Sequence, residues 1–257
     1  MPYDYLKKNK DIEEKEIDDN DTDYNPYEIS VKKTNKDNLD QPDSVKADIF
    51  PKLPLGCLII GRSGSGKTLS MVNMMTNDNL LGDYFDMVYL FTDAKPDKEL
   101  IKDLKLPKKN VISDFDEEKV KEVMDKAERT VQKNGFKESP KIMMLFDDIL
   151  SNQKFLRSKT ATKLATANRH FNISYIFCSQ YYKKLPPVMR TNARYTIIFP
   201  SSMSEIEKIA DELTPPRMSK KQFISYLQYA TREQYSFMAI NADSQEPLRR
   251  KFENILI

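Results

Sequence analysis

The chain has 257 residues, which is enough for one sizeable domain with appendages but short for two full domains. Hydrophobic residues make up 39% and charged residues 31%, so a core can be buried while part of the chain stays outside it. No apolar run approaches about 20 residues, and the charged amino-terminal residues contain no apolar segment. We therefore expect neither a membrane helix nor a cleaved secretory signal.

Positive and negative residues are segregated along the chain, although the formal net charge is only +2. Residues 1–45 carry 13 acidic and 7 basic residues, whereas residues 149–204 carry nine basic residues and no acid. The acid-free stretch indicates a polyanionic partner such as nucleic acid, or else a basic surface that only offsets the acidic segment. Its basic residues are Lys154, Arg157, Lys159, Lys163, Arg169, Lys183, Lys184, Arg190 and Arg194.

The amino-terminal segment is polar and poor in aliphatic side chains, and eight of its acids fall between Asp11 and Asp23. Such a segment buries too little apolar area to offset its ordering entropy. We therefore predict a disordered acidic tail over residues 1–45 and a folded domain over residues 46–257. The tail is interpreted as a nucleic-acid mimic that covers the basic stretch, as a binding site for a partner, or as a solvating segment without a role.

Short apolar runs predict strands, and longer stretches with helical periodicity predict helices between them. Strands are expected at 55–60, 87–91, 111–112, 142–146, 173–178, 195–199 and 235–240. Helices are expected at 67–75, 119–133, 158–168, 204–213 and 219–230. This alternation predicts an α/β fold whose mostly parallel sheet carries helices on both faces. Cys57 and Cys178 fall in two of the strands, which indicates buried thiols of a reducing compartment.

A glycine-rich octet follows the first strand directly and fits the pattern G-x-x-x-x-G-K-[ST]. Glycines let the backbone curl so that N–H groups point at phosphate oxygens, and the following helix adds its positive end. Lys67 is expected to neutralise phosphate charge, and the Thr68 hydroxyl is expected to hold Mg²⁺. The predicted nucleotide-binding residues are Gly61, Arg62, Ser63, Gly64, Ser65, Gly66, Lys67 and Thr68.

A second motif is the apolar strand that ends in Asp147 and Asp148. The carboxyl ends of parallel strands lie at one edge of a sheet, so both acids are expected beside the phosphate loop. Asp147 is predicted to hold Mg²⁺, directly or through water, and Asp148 to polarise the attacking water as general base. The alternative for Asp148 is an amino-terminal cap of the helix that follows.

The strand at 173–178 is followed by Ser179 and Gln180. A polar residue that ends the strand after the acid-bearing one can reach the γ-phosphate or the attacking water. Gln180 is the preferred candidate for this catalytic role, ahead of Ser179.

Together these motifs resemble a family, the viral DNA-packaging ATPases of the FtsK/HerA superfamily, which poxviruses, other large cytoplasmic DNA viruses and virophages carry. The resemblance covers about residues 50–257 and rests less on the phosphate loop than on the later residues. These are the Asp-Asp pair, then Arg169-His170, Ser179-Gln180 and Arg190-Thr191-Asn192. Other members often end the acid strand in Asp-Glu, so Asp148 is a shorter acid at this position.

The resemblance implies a P-loop NTPase of the RecA-like (ASCE) type, with an extra strand between the two nucleotide motifs. It implies a homo-oligomeric ring in which ATP hydrolysis with Mg²⁺ drives double-stranded DNA into a viral capsid. The basic residues within 154–194 would then grip phosphates without reading bases. A capsid vertex protein is the implied further partner. The implied location is the host cytoplasm at viral assembly sites, with the virion as an alternative.

Ring ATPases of this type use an arginine of the neighbouring subunit to stabilise charge on the γ-phosphate. Arg169 is the first candidate for this residue and Arg190 is the second. The lone His170 is interpreted as a structural or DNA-facing residue rather than a catalytic one.

Two other classes of protein stay open. A small-molecule kinase would share the phosphate loop, but it needs a phosphoacceptor pocket and usually a mobile lid, and the sequence marks neither. A nucleotide-gated DNA-binding scaffold would bind ATP without hydrolysing it, and the presence of Lys67 and Asp148 argues against that class.

Overall fold

The structure is a computed structural model, and it describes residues 49–93, 95, 98–149, 151–252 and 254–256. The predicted acidic tail over residues 1–45 lies outside the described residues. No helix in the described ranges is both long and apolar enough to cross a membrane. Both cysteines are buried and unpaired with each other, as their apolar surroundings predicted.

The described strands form one sheet in the order β3-β2-β4-β5-β1-β6-β7-β8-β9. Their bounds are β1 Gly56–Ile60, β2 Met87–Thr92, β3 Val111–Ser113, β4 Ile142–Asp147, β5 Ile173–Ser179, β6 Tyr195–Ile198, β7 Met238–Asn241, β8 Leu248–Arg250 and β9 Asn254–Ile255. Strands β1 to β6 are mutually parallel, whereas β7, β8 and β9 continue the sheet as antiparallel neighbours. The α/β prediction with a mostly parallel sheet is confirmed.

The strand order places β5 between β1, which precedes the phosphate loop, and β4, which carries the acids. Ile60 at the end of β1 is in register with Ser179 at the end of β5, and Phe146 of β4 is in register with Phe177. The extra strand that the family resemblance implied is therefore present. Since these three strands are parallel, the residues after each of them meet at one edge of the sheet.

The helices are α1 Lys67–Thr76, α2 Lys98–Asp103, α3 Glu117–Asn134, α4 Gln153–Leu156, α5 Lys159–Ala167, α6 Pro187–Asn192, α7 Met203–Leu213 and α8 Lys220–Ala230. Five of them begin at a capping side chain that accepts a hydrogen bond from the first turn, namely Asp116, Asn152, Ser158, Ser202 and Ser219. The five helices expected from the sequence are present, with shifted ends. The sequence did not predict α2, α4, α6, β8 or β9.

Alternate residues of each strand point to opposite sides of the sheet, and apolar side chains lie on both sides. Helices therefore cover both faces. On one face, Leu58, Phe146 and Phe177 pack beneath α3, α5, α7 and α8. On the other face, Ile59 and Cys178 pack beneath α1 and α2. The Phe146 and Phe177 rings stack with centroids 4.2 Å apart, directly behind the acids of β4 and the polar end of β5. The aromatic stack therefore holds the two strand ends that carry the candidate site in a fixed register.

Candidate nucleotide site

The glycine-rich loop connects the end of β1 at Ile60 to the start of α1 at Lys67. Gly64 and Gly66 have φ angles of 71° and 103°, a backbone conformation that favours glycine. A Cβ added to Gly64 would meet nothing within 4 Å, whereas a Cβ added to Gly61 would lie 2.6 Å from Phe199 Cβ. Gly61 is therefore required by close packing, and Gly64 by its backbone conformation on the open side of the loop.

Two side chains of the loop have unfilled hydrogen-bonding capacity, and one of them, Lys67, borders the cavity beside the loop. The Lys67 ammonium donates to the backbone carbonyl of Arg62 at 2.9 Å, which leaves donors of the same ammonium for an anion. The Ser65 hydroxyl is buried and has no hydrogen-bond partner among the described residues. An orphaned buried hydroxyl is costly, but Ser65 does not line the cavity beside the loop, so this hydroxyl is not assigned to a ligand.

The phosphate loop is joined to the acid strand by a hydrogen bond from Thr68 Oγ1 to Asp147 Oδ2, at 3.1 Å. Burial raises the pKa of Asp147, and the hydrogen bond from Thr68 and the charge of Lys67 offset only part of this increase. The buried Cys178 thiol on β5 donates to Met71 Sδ at 3.9 Å, and burial raises the pKa of this thiol. Asp147 is thus a partly desolvated carboxylate beside a hydroxyl, at the edge where the loop begins.

These oxygens form a donor set that suits Mg²⁺. The described residues contain no group of three or more His, Cys, Asp or Glu side chains that would enclose a metal ion. Mg²⁺ in nucleotide sites is usually held by one or two protein oxygens together with substrate phosphates and water. Thr68 and Asp147 supply such a pair beside the phosphate loop, so the residues fit this ion.

Asp148 is exposed and adopts a left-handed backbone conformation, with φ of 53°, where the chain turns away from β4. Asp tolerates this conformation better than most residues. The alternative role as a helix cap is wrong, because the side chain of Asn152 caps α4 by accepting from the N–H of Phe155. The Asp148 side chain is therefore not used as the cap of that helix.

Gln180 directly follows β5 and is only partly buried. Ser179 is buried, and its hydroxyl donates to the carbonyl of Tyr181 at 2.8 Å and accepts from the Tyr181 N–H. The Ser179 side chain is thus engaged in its own turn. Of the two polar residues at this point of the chain, Gln180 is the one that borders the cavity beside the phosphate loop.

A cavity of about 570 Å³ brings most of the predicted site residues together. Its predicted members are Ser63, Gly64, Gly66, Lys67, Thr68, Asp147, Asp148 and Gln180. The cavity is also lined by residues that no sequence motif predicted as part of the site, namely Leu69, Leu90, Thr92, Lys95, Leu100, Cys178 and Tyr235. Gly61, Arg62 and Ser65 belong to the loop, but they do not line this cavity.

Two of the missed residues had a signal in the sequence. Thr92 is the last residue of β2 and is in register with Asp147. Polar residues at the carboxyl ends of parallel strands were expected at the site, and Thr92 is such a residue. Cys178 lies two residues before Gln180, and side chains two apart on a strand share a face. Tyr235 had no such signal, because the turn that brings it to the phosphate loop is not encoded in a local pattern.

Arg169 lies on the opposite edge of the sheet from the phosphate loop of its own chain. It is exposed on a short 3₁₀ helix, Asn168–Phe171, that precedes the amino end of β5. The six residue steps from Ile173 to Ser179 span roughly 20 Å at the usual rise of a strand. Arg169 is therefore too far away to act on the phosphates of its own subunit.

Arg190 is held within its own chain by Glu212 of α7. Its guanidinium contacts the two carboxylate oxygens at 2.9 and 3.0 Å and the carbonyl of Leu185 at 2.6 Å, and its side chain is only 9% exposed. Lys183 binds the same carboxylate. Burial raises the pKa of Glu212, but the hydrogen bonds from Arg190 and Lys183 outweigh this effect and lower the pKa to about 2.

The basic stretch is partly neutralised by acids from other parts of the chain. Lys163 pairs with Glu128, Lys183 and Arg190 pair with Glu212, and Arg194 pairs with Asp243. The remaining five basic residues are exposed and have no acidic partner in the described ranges, namely Lys154, Arg157, Lys159, Arg169 and Lys184. Four of these five lie on the segments that leave the carboxyl ends of β4 and β5.

The glycine loop after β1, the acids after β4 and the strand inserted between them define the P-loop NTPase fold of the RecA-like type. The sequence profile of the poxvirus A32 protein family matches residues 45–245, and the chain belongs to this family. The resemblance to viral DNA-packaging ATPases that the motifs indicated is thereby confirmed.

Solved structures with the same fold include B204, the DNA-packaging ATPase from Sulfolobus turreted icosahedral virus. It is 16% identical with a TM-score of 0.51, over 76% of this chain and 95% of that chain. The genome packaging NTPase B204 from Sulfolobus turreted icosahedral virus 2, in complex with sulfate, is 15% identical with a TM-score of 0.53. That comparison covers 76% of this chain and 94% of that chain.

Among curated proteins, the DNA packaging protein OPG160 of monkeypox virus is 23% identical over 180 residues. The matched region covers 68% of this chain and 57% of the relative. OPG160 of vaccinia virus (strain Copenhagen) is also 23% identical over 180 residues, with 64% of the relative covered. The matched region thus spans about 57% to 64% of the length of these curated relatives.

The lowered pKa of Glu212 predicts a pH-dependent effect of Glu212→Gln on stability. The ionised carboxylate stabilises the fold above its ordinary pKa of about 4.3, and this contribution is lost as pH falls toward 2. The variant should therefore lose about 1 kcal/mol of unfolding free energy at pH 7, because Glu212 is exposed and solvent screens its interaction with the two cations. Denaturant titrations from pH 7 to pH 3 would measure the difference, which should shrink on acidification.

Glu207→Gln is the matched control, since Glu207 is an exposed residue of the same helix and the charge change is identical. An equal loss in both variants, or a difference that does not vary with pH, would contradict the assigned role of Glu212.

Proposed function

We propose that the chain is an ATP-hydrolysing motor that translocates double-stranded DNA into a viral capsid. The observation that carries the proposal is the hydrogen bond between Thr68 and Asp147, which joins the phosphate loop to the acid strand beside Lys67. Asp148 and Gln180 border the same cavity. The family and the DNA packaging proteins among the relatives support packaging as the purpose of this chemistry.

The phosphate loop is proposed to bind the triphosphate of ATP through its backbone N–H groups, with the Lys67 ammonium moving from the Arg62 carbonyl to the phosphate oxygens. B204 of Sulfolobus turreted icosahedral virus 2 has been solved with ATP-gammaS and with AMPPCP, which supports a nucleotide at the corresponding place here. Thr68 and Asp147 would hold Mg²⁺, which when bound neutralises charge on the phosphates. Asp147 would bind in its ionised form.

Asp148 is proposed to accept a proton from the attacking water, and Gln180 to orient that water by hydrogen bonding. Asp148 is exposed at the mouth of the cavity, so solvent reaches its carboxylate directly. Gln180 directly follows β5, the strand next to both β1 and β4 in the sheet. The two side chains therefore border the cavity from adjacent strand ends, as a base and an orienting group for one water must.

Arg169 is proposed to stabilise the γ-phosphate of a neighbouring subunit. It lies at the edge of the sheet away from its own phosphate loop and is exposed, so it can act only on another copy of the chain. Arg190 is a poorer candidate because Glu212 and the Leu185 carbonyl already bind its guanidinium. A homo-oligomeric ring would bring Arg169 of one subunit toward the carboxyl edge of the next.

Duplex DNA is proposed to contact the exposed basic residues that leave the carboxyl edge of the sheet, namely Lys154, Arg157, Lys159 and Lys184. Phosphate contacts of this kind carry no sequence information, which suits a motor that must grip, release and grip again on any sequence. Because these segments directly follow Asp148 and Gln180, a change at the γ-phosphate would be transmitted to the DNA over a short length of chain.

The wider assignments are proposed on the family resemblance. They are a capsid vertex protein as a further partner, and a location in the host cytoplasm at viral assembly sites or in the virion. Residues 46–257 are proposed as the ATPase domain and residues 1–45 as its acidic tail.

Lys67→Ala should abolish ATP hydrolysis, with a loss of at least about a hundredfold, because it removes the charge that stabilises the transferred phosphoryl group. Release of inorganic phosphate from ATP without an added acceptor is the measurement, and it also distinguishes hydrolysis from a kinase reaction. Lys98→Ala, an exposed lysine of α2, is the control and should retain activity. Undiminished phosphate release by Lys67→Ala would contradict the proposed site.

Replacing Lys154, Arg157 and Lys159 together by Gln should weaken binding to linear duplex DNA and reduce its stimulation of ATP hydrolysis. The slope of log affinity against log salt should become shallower by up to about 3, since each phosphate contact contributes roughly 0.9. Hydrolysis without DNA should be retained. A matched control replaces Lys119, Lys121 and Lys126 of α3 by Gln, which removes the same charge elsewhere. Equal effects of the two triple variants would contradict a localised DNA contact.

A further inference from the structure

A second groove adjoins the candidate phosphate site and has no role in the proposed hydrolysis. Its volume is about 490 Å³, and it shares Gly66, Leu69 and Tyr235 with the cavity that contains Lys67 and Asp147. Because these residues border both spaces, the groove lies directly beside the cavity at the phosphate loop.

One wall of the groove is a single stripe of helix α1. Gly66, Leu69, Ser70, Asn73 and Thr76 line it, and their spacing of three and four residues places them on one face of the helix. About 10 Å of helix separates Gly66 from Asn73 at the usual rise per residue. The stripe starts at the loop that would hold the phosphates and leads away from it.

The opposite wall comes from the antiparallel end of the sheet. Phe237 and Phe252 are buried and form its apolar floor, with ring centroids 5.0 Å apart. The N–H of Lys251 donates to the carbonyl of Phe237 at 3.0 Å, which fixes Lys251 at the rim. The groove therefore has an apolar floor and a positively charged border.

Two large apolar side chains stand exposed at the junction of the groove and the phosphate site. Leu69 is 65% exposed and Tyr235 is 52% exposed. Tyr235 has a φ of 59°, an unfavourable conformation for an aromatic residue, and a Cβ added at Gly66 would lie 3.2 Å from its ring. A strained turn thus holds an open aromatic ring against the last glycine of the phosphate loop.

We propose that this groove binds the base and ribose of the nucleotide, with the base stacked on Tyr235 and flanked by Leu69. The inference rests on the proposed function, because it requires a triphosphate on the phosphate loop. A base is a flat, largely apolar ring, and both exposed side chains offer it the surfaces that stacking uses. Ser70, Asn73 and Lys251 bring hydrogen-bonding groups that ribose hydroxyls and the edge of the base can use.

The position of the groove directly beside the phosphate loop favours a nucleoside over a protein partner. The groove opens at Gly66, where the α-phosphate end of a bound triphosphate would emerge, and its near wall runs in the direction that a linked sugar and base must take. A segment of another subunit has no covalent link to the phosphates, so the position of the groove beside that glycine would not be explained. Tyr235 is accordingly a binding residue for the base and not for the phosphates.

The test compares two ligands that differ only in the nucleoside. Binding of a non-hydrolysable ATP analogue and of inorganic tripolyphosphate, both with Mg²⁺, would be measured by calorimetry for the wild-type chain, Tyr235→Ala and Tyr235→Phe. Tyr235→Ala should weaken the analogue about tenfold, the scale of a lost base–aromatic stack, and change tripolyphosphate less than about twofold. Tyr235→Phe should bind both ligands like the wild type.

Tyr229→Ala is the matched control, because Tyr229 is 45% exposed on α8 and lines neither space. Equal weakening of both ligands by Tyr235→Ala would overturn the base subsite in favour of a structural role in the phosphate loop. If Tyr235→Ala changed the oligomeric state and left the affinity for the analogue unchanged, the base subsite would be overturned in favour of a contact between subunits. If the wild-type chain bound neither ligand, the proposed function itself would fail along with the subsite.

Discussion

The hydrogen bond between Thr68 Oγ1 and Asp147 Oδ2 joins two segments that are 79 residues apart in the sequence. It forms only because β1 and β4 are parallel and lie on either side of β5, so that the turns after all three strands open at one edge. A different strand order would carry the acid away from the glycine loop. The stacked rings of Phe146 and Phe177 lie immediately behind this edge and keep β4 and β5 in register. The site thus depends on sheet topology first and on individual side chains second.

The charge distribution follows a second constraint, which is visible only in three dimensions. A stretch without acids suggested a continuous basic surface, yet four of its nine basic residues are neutralised by acids that the fold brings from α3, α7 and the turn after β7. Glu212 alone binds both Lys183 and Arg190 and turns them into structural residues. The charge that remains exposed lies on the segments that follow β4 and β5, apart from Arg169 in front of β5. Neutralisation by distant acids therefore divides the stretch into a structural part and a part open to a polyanion.

The sequence predicted what has a local cause. Apolar runs predicted the six parallel strands and β7, and glycines predicted the phosphate loop. The family resemblance predicted that one extra strand separates the two nucleotide motifs, and this strand is β5. The sequence did not predict α2, α4 and α6, because helices of at most six residues have too few turns for a periodic signal. Strand β8 was missed because its three residues, Leu248–Arg250, are mostly charged and are stabilised by pairing with β7. Tyr235 was missed for a related reason, since a turn between α8 and β7 brings it to Gly66, and no spacing in the sequence reports that contact.

The most direct test of the account is electron paramagnetic resonance of Mn²⁺, used in place of Mg²⁺, with a non-hydrolysable ATP analogue bound to the wild-type chain, Thr68→Ala and Asp147→Asn. We expect one bound Mn²⁺ with hyperfine coupling to phosphorus in the wild type, and an affinity for the ion that falls at least about tenfold in each variant. Mn²⁺ bound equally well by all three proteins, or bound without coupling to phosphorus, would contradict a nucleotide–metal site at the junction of the phosphate loop and β4.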